Sequence, residues 1–325
     1  MTYLLLVLGL ILLIAGGELL VRGAVRIAEH FGLSPMLIGL TIVGMGTSMP
    51  ELAASVQAAL AGSPGIALGN IVGSKIANLL LILGLAVALS PFAVPRGVLW
   101  RDGGVGLLCA MILIAAGYTL GLSRGVGFLL VIGMLGYVYL AFRQEKAGAA
   151  HGALYDKALA LEEVDPALVP SARPNRSIVI AALLFVAGIG LIISGGSLLV
   201  EAAIAIATSL GVSDEVVGLT VVAVGTSLPE LVTSAIAALK RQGEIALGNV
   251  LGSNIYNILF IGGVTGIVAP TGIPPSILQF DLVVLIAVSA VVMVLAFTGG
   301  RFSRLEGVLL MAGYAAYTAV TADLI

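Results

Sequence analysis

Charge is what this chain has least of. Asp, Glu, Lys and Arg make up only 10% of its 325 residues, while 60% are hydrophobic, a balance that a water-soluble domain of this size does not carry. A single cysteine, Cys109, excludes an internal disulfide and a thiolate metal cluster. The two histidines, His30 and His151, fall at or beyond the ends of apolar segments and read as interfacial or loop residues. A net charge of −2 offers no basic face to a nucleic acid. The solvent these exclusions leave is lipid.

What the chain has in abundance is long apolar runs. Crossing a bilayer takes about 20 apolar residues per helix, and ten such runs fall near 3–22, 34–61, 66–89, 98–119, 125–142, 177–208, 213–239, 245–268, 280–298 and 304–322. Continuous stretches such as LLLVLGLILLIAGG are unlike the short alternating segments of a membrane β-barrel. The expected fold is an all-α integral membrane protein with ten transmembrane helices. The first run has no basic residue ahead of it and no small-residue cleavage site, so it is read as a retained helix.

Basic residues orient these runs, because cytoplasmic loops collect Lys and Arg. With the N-terminus outside, the inner side receives Arg22, Arg26, Arg96, Arg101, Arg143, Lys146, Lys157, Arg173, Arg176, Lys240, Arg241, Arg301 and Arg304, and the outer side only Arg124. The fifteenth, Lys75, falls inside a membrane segment. The polar stretch 143–176 then reads as a cytoplasmic linker, too short at about 34 residues for a stable core of its own. The expected location is the cell membrane, the inner membrane of a bacterium or archaeon.

The halves resemble each other at a constant offset of 179 residues. GGELLV at 16–21 returns as GGSLLV at 195–200, GLTIVGMGTSMPEL at 39–52 as GLTVVAVGTSLPEL at 218–231, and IALGNIVGSKIAN at 66–78 as IALGNVLGSNIYN at 245–257. Residues 39–84 and 218–263 share 26 identities in 46 ungapped pairs. Duplication of a five-helix unit explains this, with repeats at 1–142 and 177–325. An odd helix count forces the second copy to enter from the opposite side, which also puts the C-terminus outside. Two inverted five-helix repeats are the architecture of many secondary transporters, whose sites lie near the midplane.

Glu51 and Glu230 stand in the middle of otherwise uncharged apolar segments. An ionised carboxylate at that depth is costly unless paired or coordinated, so each is a candidate site residue; the plainer alternative is a protonated Glu donating one interhelical hydrogen bond. Each follows a proline, Pro50 or Pro229, which cannot donate to the helix ladder and clashes with the carbonyl four residues earlier. A break is therefore expected in each GTSxPE run. The carbonyls it frees need a polar partner in lipid, and hard cations such as Ca²⁺ take about six to eight oxygens. On the next helix Asn70, Ser74 and Asn78 recur at four-residue spacing and share a face, repeated by Asn249, Ser253 and Asn257. Small residues such as Gly69 and Gly73 can equally serve close helix packing there.

The paired motifs GTSMPE with GNIVGSKIAN and GTSLPE with GNVLGSNIYN resemble the two α-repeats of the Ca²⁺/cation antiporter superfamily, and most of all its prokaryotic sodium/calcium exchanger branch. The resemblance spans the chain apart from 143–176. It implies that Glu51 and Glu230 bridge the central divalent ion and that Ca²⁺ competes with several Na⁺ for overlapping sites. It further implies that Thr47, Ser48, Thr226 and Ser227 complete the ion shells, with Ser74, Asn78, Ser253 and Asn257 as the polar positions of the third and eighth helices. The first and sixth helices would form the pair that slides to alternate access. Ca²⁺ and Na⁺ are then the transported ions; no cofactor and no enzymatic activity are implied.

Two departures stand out. Asn257 replaces an Asp found in many relatives, which argues against potassium dependence. Lys75 replaces the Asn of the usual GSN run, matched by Asn254 in the second repeat. Two placements are open for it: at the cavity edge as a tethered cation, or snorkelling to water. The nearest rival function is proton-coupled divalent antiport, since two Glu can carry protons. Relatives of that kind place His or extra acidic residues near the motif, and none occurs here. A channel fits two opposed central carboxylates less well than alternating access does. A hydrolase built on Ser74 and Lys75 fails on geometry, because adjacent helical residues point about 100° apart.

Overall fold

The computed structural model describes residues 2–31, 42, 45–94, 99–146, 153–164 and 178–324. Among these the chain is helical throughout, and the only sheet-like pairings are two isolated bridges, Ala93 with Arg301 and Leu122 with Thr271. Twelve helical runs follow in order: α1 Thr2–His30, α2 Met49–Leu60, α3 Pro64–Leu89, α4 Arg101–Thr119, α5 Arg124–Lys146, α6 Ala153–Val164, α7 Ile178–Leu210, α8 Asp214–Thr226, α9 Leu228–Leu239, α10 Gly243–Val268, α11 Ile277–Phe297 and α12 Arg304–Leu324. Eight of them are long and apolar enough to cross a membrane, and the bent pair α8–α9 makes a ninth. The tenth expected span, 34–61, lies partly outside the described residues; its second half is α2.

Glycine spacing brings α1 and α7 together along their length. A Cβ at Gly9, Gly16 or Gly23 would lie 2.8, 2.8 or 2.5 Å from the backbone nitrogen of Leu199, Ile192 or Phe185 respectively. The partner number falls as the glycine number rises, so the two helices run antiparallel with their backbones in contact. The neighbouring glycines face the motif helices instead, Gly17 towards Met49 and Pro50 and Gly196 towards Ala53 and Gln57. The doublets GG16–17 and GG195–196 thus serve two contacts each.

Each motif helix is broken where proline predicts it. In the first half a single 3-10 turn, Gly46–Ser48, precedes α2 with Pro50 in its first turn. In the second half the chain bends by 49° between α8 and α9. The following helices, α3 and α10, each widen into a π-helical turn, at Asn78–Ile82 and Asn257–Gly262. These begin at the last Asn of the two polar stripes, a common placement for π-turns at functional sites. Nothing in propensity announces them.

Candidate cation site

The site is assembled from the two breaks and the two polar stripes. All ten residues singled out in the sequence are buried: Thr47, Ser48, Glu51, Ser74, Asn78, Thr226, Ser227, Glu230, Ser253 and Asn257. The carboxylates are tied across the halves, since Ser227 Oγ donates to Glu51 Oε1 at 3.0 Å and Ser48 Oγ to Glu230 Oε1 at 3.4 Å. Each break therefore supplies a hydroxyl to the other half's glutamate.

The stripes hold the backbone of the same turns. Asn70 Nδ2 donates to the Glu51 carbonyl at 3.1 Å and to Ser55 Oγ at 2.9 Å, while its Oδ1 accepts from Thr226 Oγ1 at 3.0 Å. Asn249 Nδ2 mirrors this, donating to the Glu230 carbonyl at 3.2 Å and to Ser234 Oγ at 2.8 Å. Further along, Asn257 Nδ2 reaches Ser74 Oγ at 2.9 Å and Asn78 Nδ2 reaches Asn254 Oδ1 at 3.0 Å.

Several oxygens of this network have no donor among the described residues: Glu51 Oε2, Glu230 Oε2, Asn78 Oδ1, Asn249 Oδ1 and Asn257 Oδ1. Buried acceptors without donors are costly in a low dielectric. A desolvated cation is a partner that such oxygens can take, because it interacts with oxygen lone pairs alone. No group of three or more His, Cys, Asp and Glu side chains placed to hold a metal ion occurs among the described residues; the donor set here is two carboxylates with neutral oxygens. That set suits hard cations and not the softer transition metals.

The two halves carry the motif pair, and the sodium/calcium exchanger protein family model matches residues 1–143 and 180–322. The chain belongs to that family. It is thereby a membrane transporter of the cation/calcium antiporter type. It is 36% identical to the sodium/calcium exchanger MaX1 of Methanosarcina acetivorans, over 98% of this chain and 97% of that one. The inner membrane protein YrbG of Escherichia coli is 34% identical, over 97% and 95%. Among solved structures, that of the sodium-calcium exchanger NCX_Mj soaked with Na⁺ and Ca²⁺ aligns over 98% of this chain and 97% of its own, with 32% identity and a TM-score of 0.61.

An apolar cavity of about 410 Å³ opens beside the site, lined by Val21 of α1, Thr47 and Pro50 of the first break, Pro229 and Thr233 of the second half, and Leu161 of α6, with Glu18 and Arg22 also on its wall. It gives the site a vestibule.

Lys75 stands apart from these residues. It is 1% exposed and its ammonium has no hydrogen-bond partner among the described residues, so it does not snorkel. It lines a small cavity with Asp102, Leu251 and Asn254, with neither glutamate on its wall.

The ammonium at the site is Lys157, from the segment read as a solvated linker. The Lys157 Nζ donates to Thr47 Oγ1 at 2.7 Å, to Ser48 Oγ at 3.3 Å and to Ser253 Oγ, and lies 3.6 Å from Glu230 Oε1. It also sits 5.9 Å from the centre of the Tyr256 ring. Burial pushes this amine below its ordinary range, and the Glu230 and Glu51 carboxylates oppose that shift. The trace in the sequence is the spacing of Ala158 and Leu161 next to it, both of which pack with Val21, Val25 and Ala28.

Proposed function

We propose that this protein exchanges Ca²⁺ for Na⁺ by alternating access, with Glu51 and Glu230 as the charged ligands of a site near the membrane midplane. The observation that carries the reading is the pair of buried carboxylates, each held at one oxygen by a serine of the other half and each with its second oxygen unpartnered. Two negative charges suit one Ca²⁺, and the same oxygens divided among several centres suit Na⁺, so the two ions exclude each other. Thr47, Ser48, Thr226, Ser227, Ser74, Asn78, Ser253 and Asn257 would supply the neutral oxygens.

Ten spans in two inverted five-helix repeats, 1–142 and 177–325, complete the proposal, with 143–176 joining them on the cytoplasmic side and reaching into the site through α6, both termini outside and the inner membrane of a bacterium or archaeon as the location. The antiparallel register of α1 and α7, which carry equivalent GG doublets, supports the inversion. So does the reciprocity of the two bridges, in which Ala93 pairs with Arg301 and Leu122 with Thr271, near-equivalents at the repeat offset.

The test is Ca²⁺ uptake into proteoliposomes. An outward Na⁺ gradient is expected to drive accumulation at least about tenfold above that from a pH gradient at matched membrane potential. Uptake that follows the pH gradient and ignores Na⁺ would establish the proton-coupled alternative instead.

A further inference from the structure

We propose that the α6 helix is a built-in competitor for the cation site, seating the Lys157 ammonium as a tethered monovalent cation on oxygens that otherwise hold the transported ions. The inference rests on the reading of Glu51 and Glu230 as the charged ligands of that site.

The contacts of Lys157 are those that a bound monovalent cation would make. An ammonium has three donors and no acceptor. Here it faces three hydroxyls, Thr47, Ser48 and Ser253, and one carboxylate, Glu230, all four of them proposed ligands. It is completely buried, with an aromatic face alongside, the Tyr256 ring, a further favourable surface for a positive charge. Tyr256 has Ala77 as its counterpart in the first repeat, so the aromatic face is present only where Lys157 lies. With the amine in place the two carboxylates keep one uncompensated charge, enough for a single Na⁺ and too little for Ca²⁺.

The helix that brings it is an added piece. It is only 12 residues long and is not among the segments long and apolar enough to span. It docks on α10 at Gly248, where any Cβ would collide with Asp156, whose Oδ2 lies 2.7 Å from that position. Gly69, the counterpart of Gly248 at the repeat offset, instead meets Gly218 and Leu219, 2.9 Å from the Leu219 nitrogen. So α6 covers in the second half the glycine face that α8 covers in the first. The counterpart of that part of α8, 39–43, lies outside the described residues apart from Ile42. On its other side α6 rests on α1 through Ala158 and Leu161, and Leu161 walls the vestibule. Seated in this way, α6 closes the site with a charge and the entrance with an apolar side chain, and it must leave before Ca²⁺ binds from that side.

If α6 is seated more than nine-tenths of the time, the apparent Ca²⁺ dissociation constant is raised about tenfold or more by that occupancy alone. The experiment is Ca²⁺ titration of the purified full-length protein at fixed Na⁺, in wild type, Lys157→Met, Gly248→Leu and Glu230→Gln. Lys157→Met removes the competing charge. Gly248→Leu leaves Lys157 and every proposed ligand in place but bars the helix by collision with Asp156. Both are expected to tighten Ca²⁺ binding at least about tenfold. Unchanged or weaker Ca²⁺ binding in either folded variant overturns the proposal, as it would if Lys157 were only a structural counter-charge. Glu230→Gln, made also on the Lys157→Met background so that no competitor is present, serves the other question: Ca²⁺ affinity there equal to that of Lys157→Met alone removes the site reading itself.

Discussion

Glu51→Gln and Glu230→Gln are each expected to abolish Ca²⁺ exchange in a protein that still folds and inserts. Gln keeps the volume of Glu and one carbonyl oxygen, so the hydroxyls of Ser227 and Ser48 retain an acceptor at about the present 3.0 and 3.4 Å. The charge is what goes. At an effective dielectric constant of 20, two unit charges about 4 Å apart interact by about 4 kcal/mol, and Ca²⁺ carries two charges. Even a third of that doubled figure, about 2.7 kcal/mol, weakens binding about a hundredfold. Relief of carboxylate desolvation should keep Glu51→Gln near the wild-type melting temperature in the ion-free protein, whereas Glu230→Gln also strips the buried Lys157 ammonium of its counter-charge and should melt lower. Radioactive Ca²⁺ flux in proteoliposomes, beside a thermal melt of the same preparation, checks both halves. Flux above about a tenth of wild type in either variant would strike that residue from the ligand set.

The glutamates were legible because the duplication makes the sequence its own control. A lone buried Glu has plain structural explanations, but Glu51 and Glu230 stand at matched positions after matched prolines, and the structure ties each to the other's serine. The polar stripes could be read for the same reason: four-residue spacing fixes a helix face whatever the tertiary packing. Comparison of repeats also misled, by drawing attention to Lys75 as the position where they differ. Lys75 does carry an ammonium into the protein, but to another cavity. The ammonium at the carboxylates comes from Lys157, in a segment with no counterpart in either repeat, where polar composition reads as solvated loop. Burial of that one charge depends on Thr47, Ser48, Ser253 and Glu230 converging from three distant stretches of chain, which no local pattern encodes. The π-turns at Asn78 and Asn257 escaped for a related reason, since each inserts a wide turn without changing the residue types around it.

A much larger loss, this time of the fold, is expected from Gly188→Leu. Gly188 sits on α7 where α1 crosses it, and a Cβ there would lie 2.7 Å from Leu20 Cα and 2.8 Å from the Gly16 carbonyl oxygen, with the Leu20 nitrogen closer still. These are backbone atoms of a continuous helix, so no side-chain rotation relieves the collision. In lipid, close backbone approach is itself a main source of helix association, and forcing α1 away from α7 forfeits it along the contacts of Gly9, Gly16 and Gly23. Overpacking of a core commonly costs about 1–3 kcal/mol for added methylenes; four carbons driven against backbone should exceed that range. Gly190 provides the control two residues away on the same helix, exposed and with nothing within 4 Å of its Cβ position. Leu at 190 removes the entropic penalty of glycine, about 1 kcal/mol in a helix interior, and points to the lipid. Size-exclusion chromatography and thermal melting in detergent should therefore show Gly190→Leu monodisperse and at least as stable as wild type. Gly188→Leu should be aggregated or melt many degrees lower. Equal melting of the two variants would mean that α1 and α7 do not meet backbone to backbone, and the antiparallel pairing that supports the proposed inversion of the repeats would fall with it.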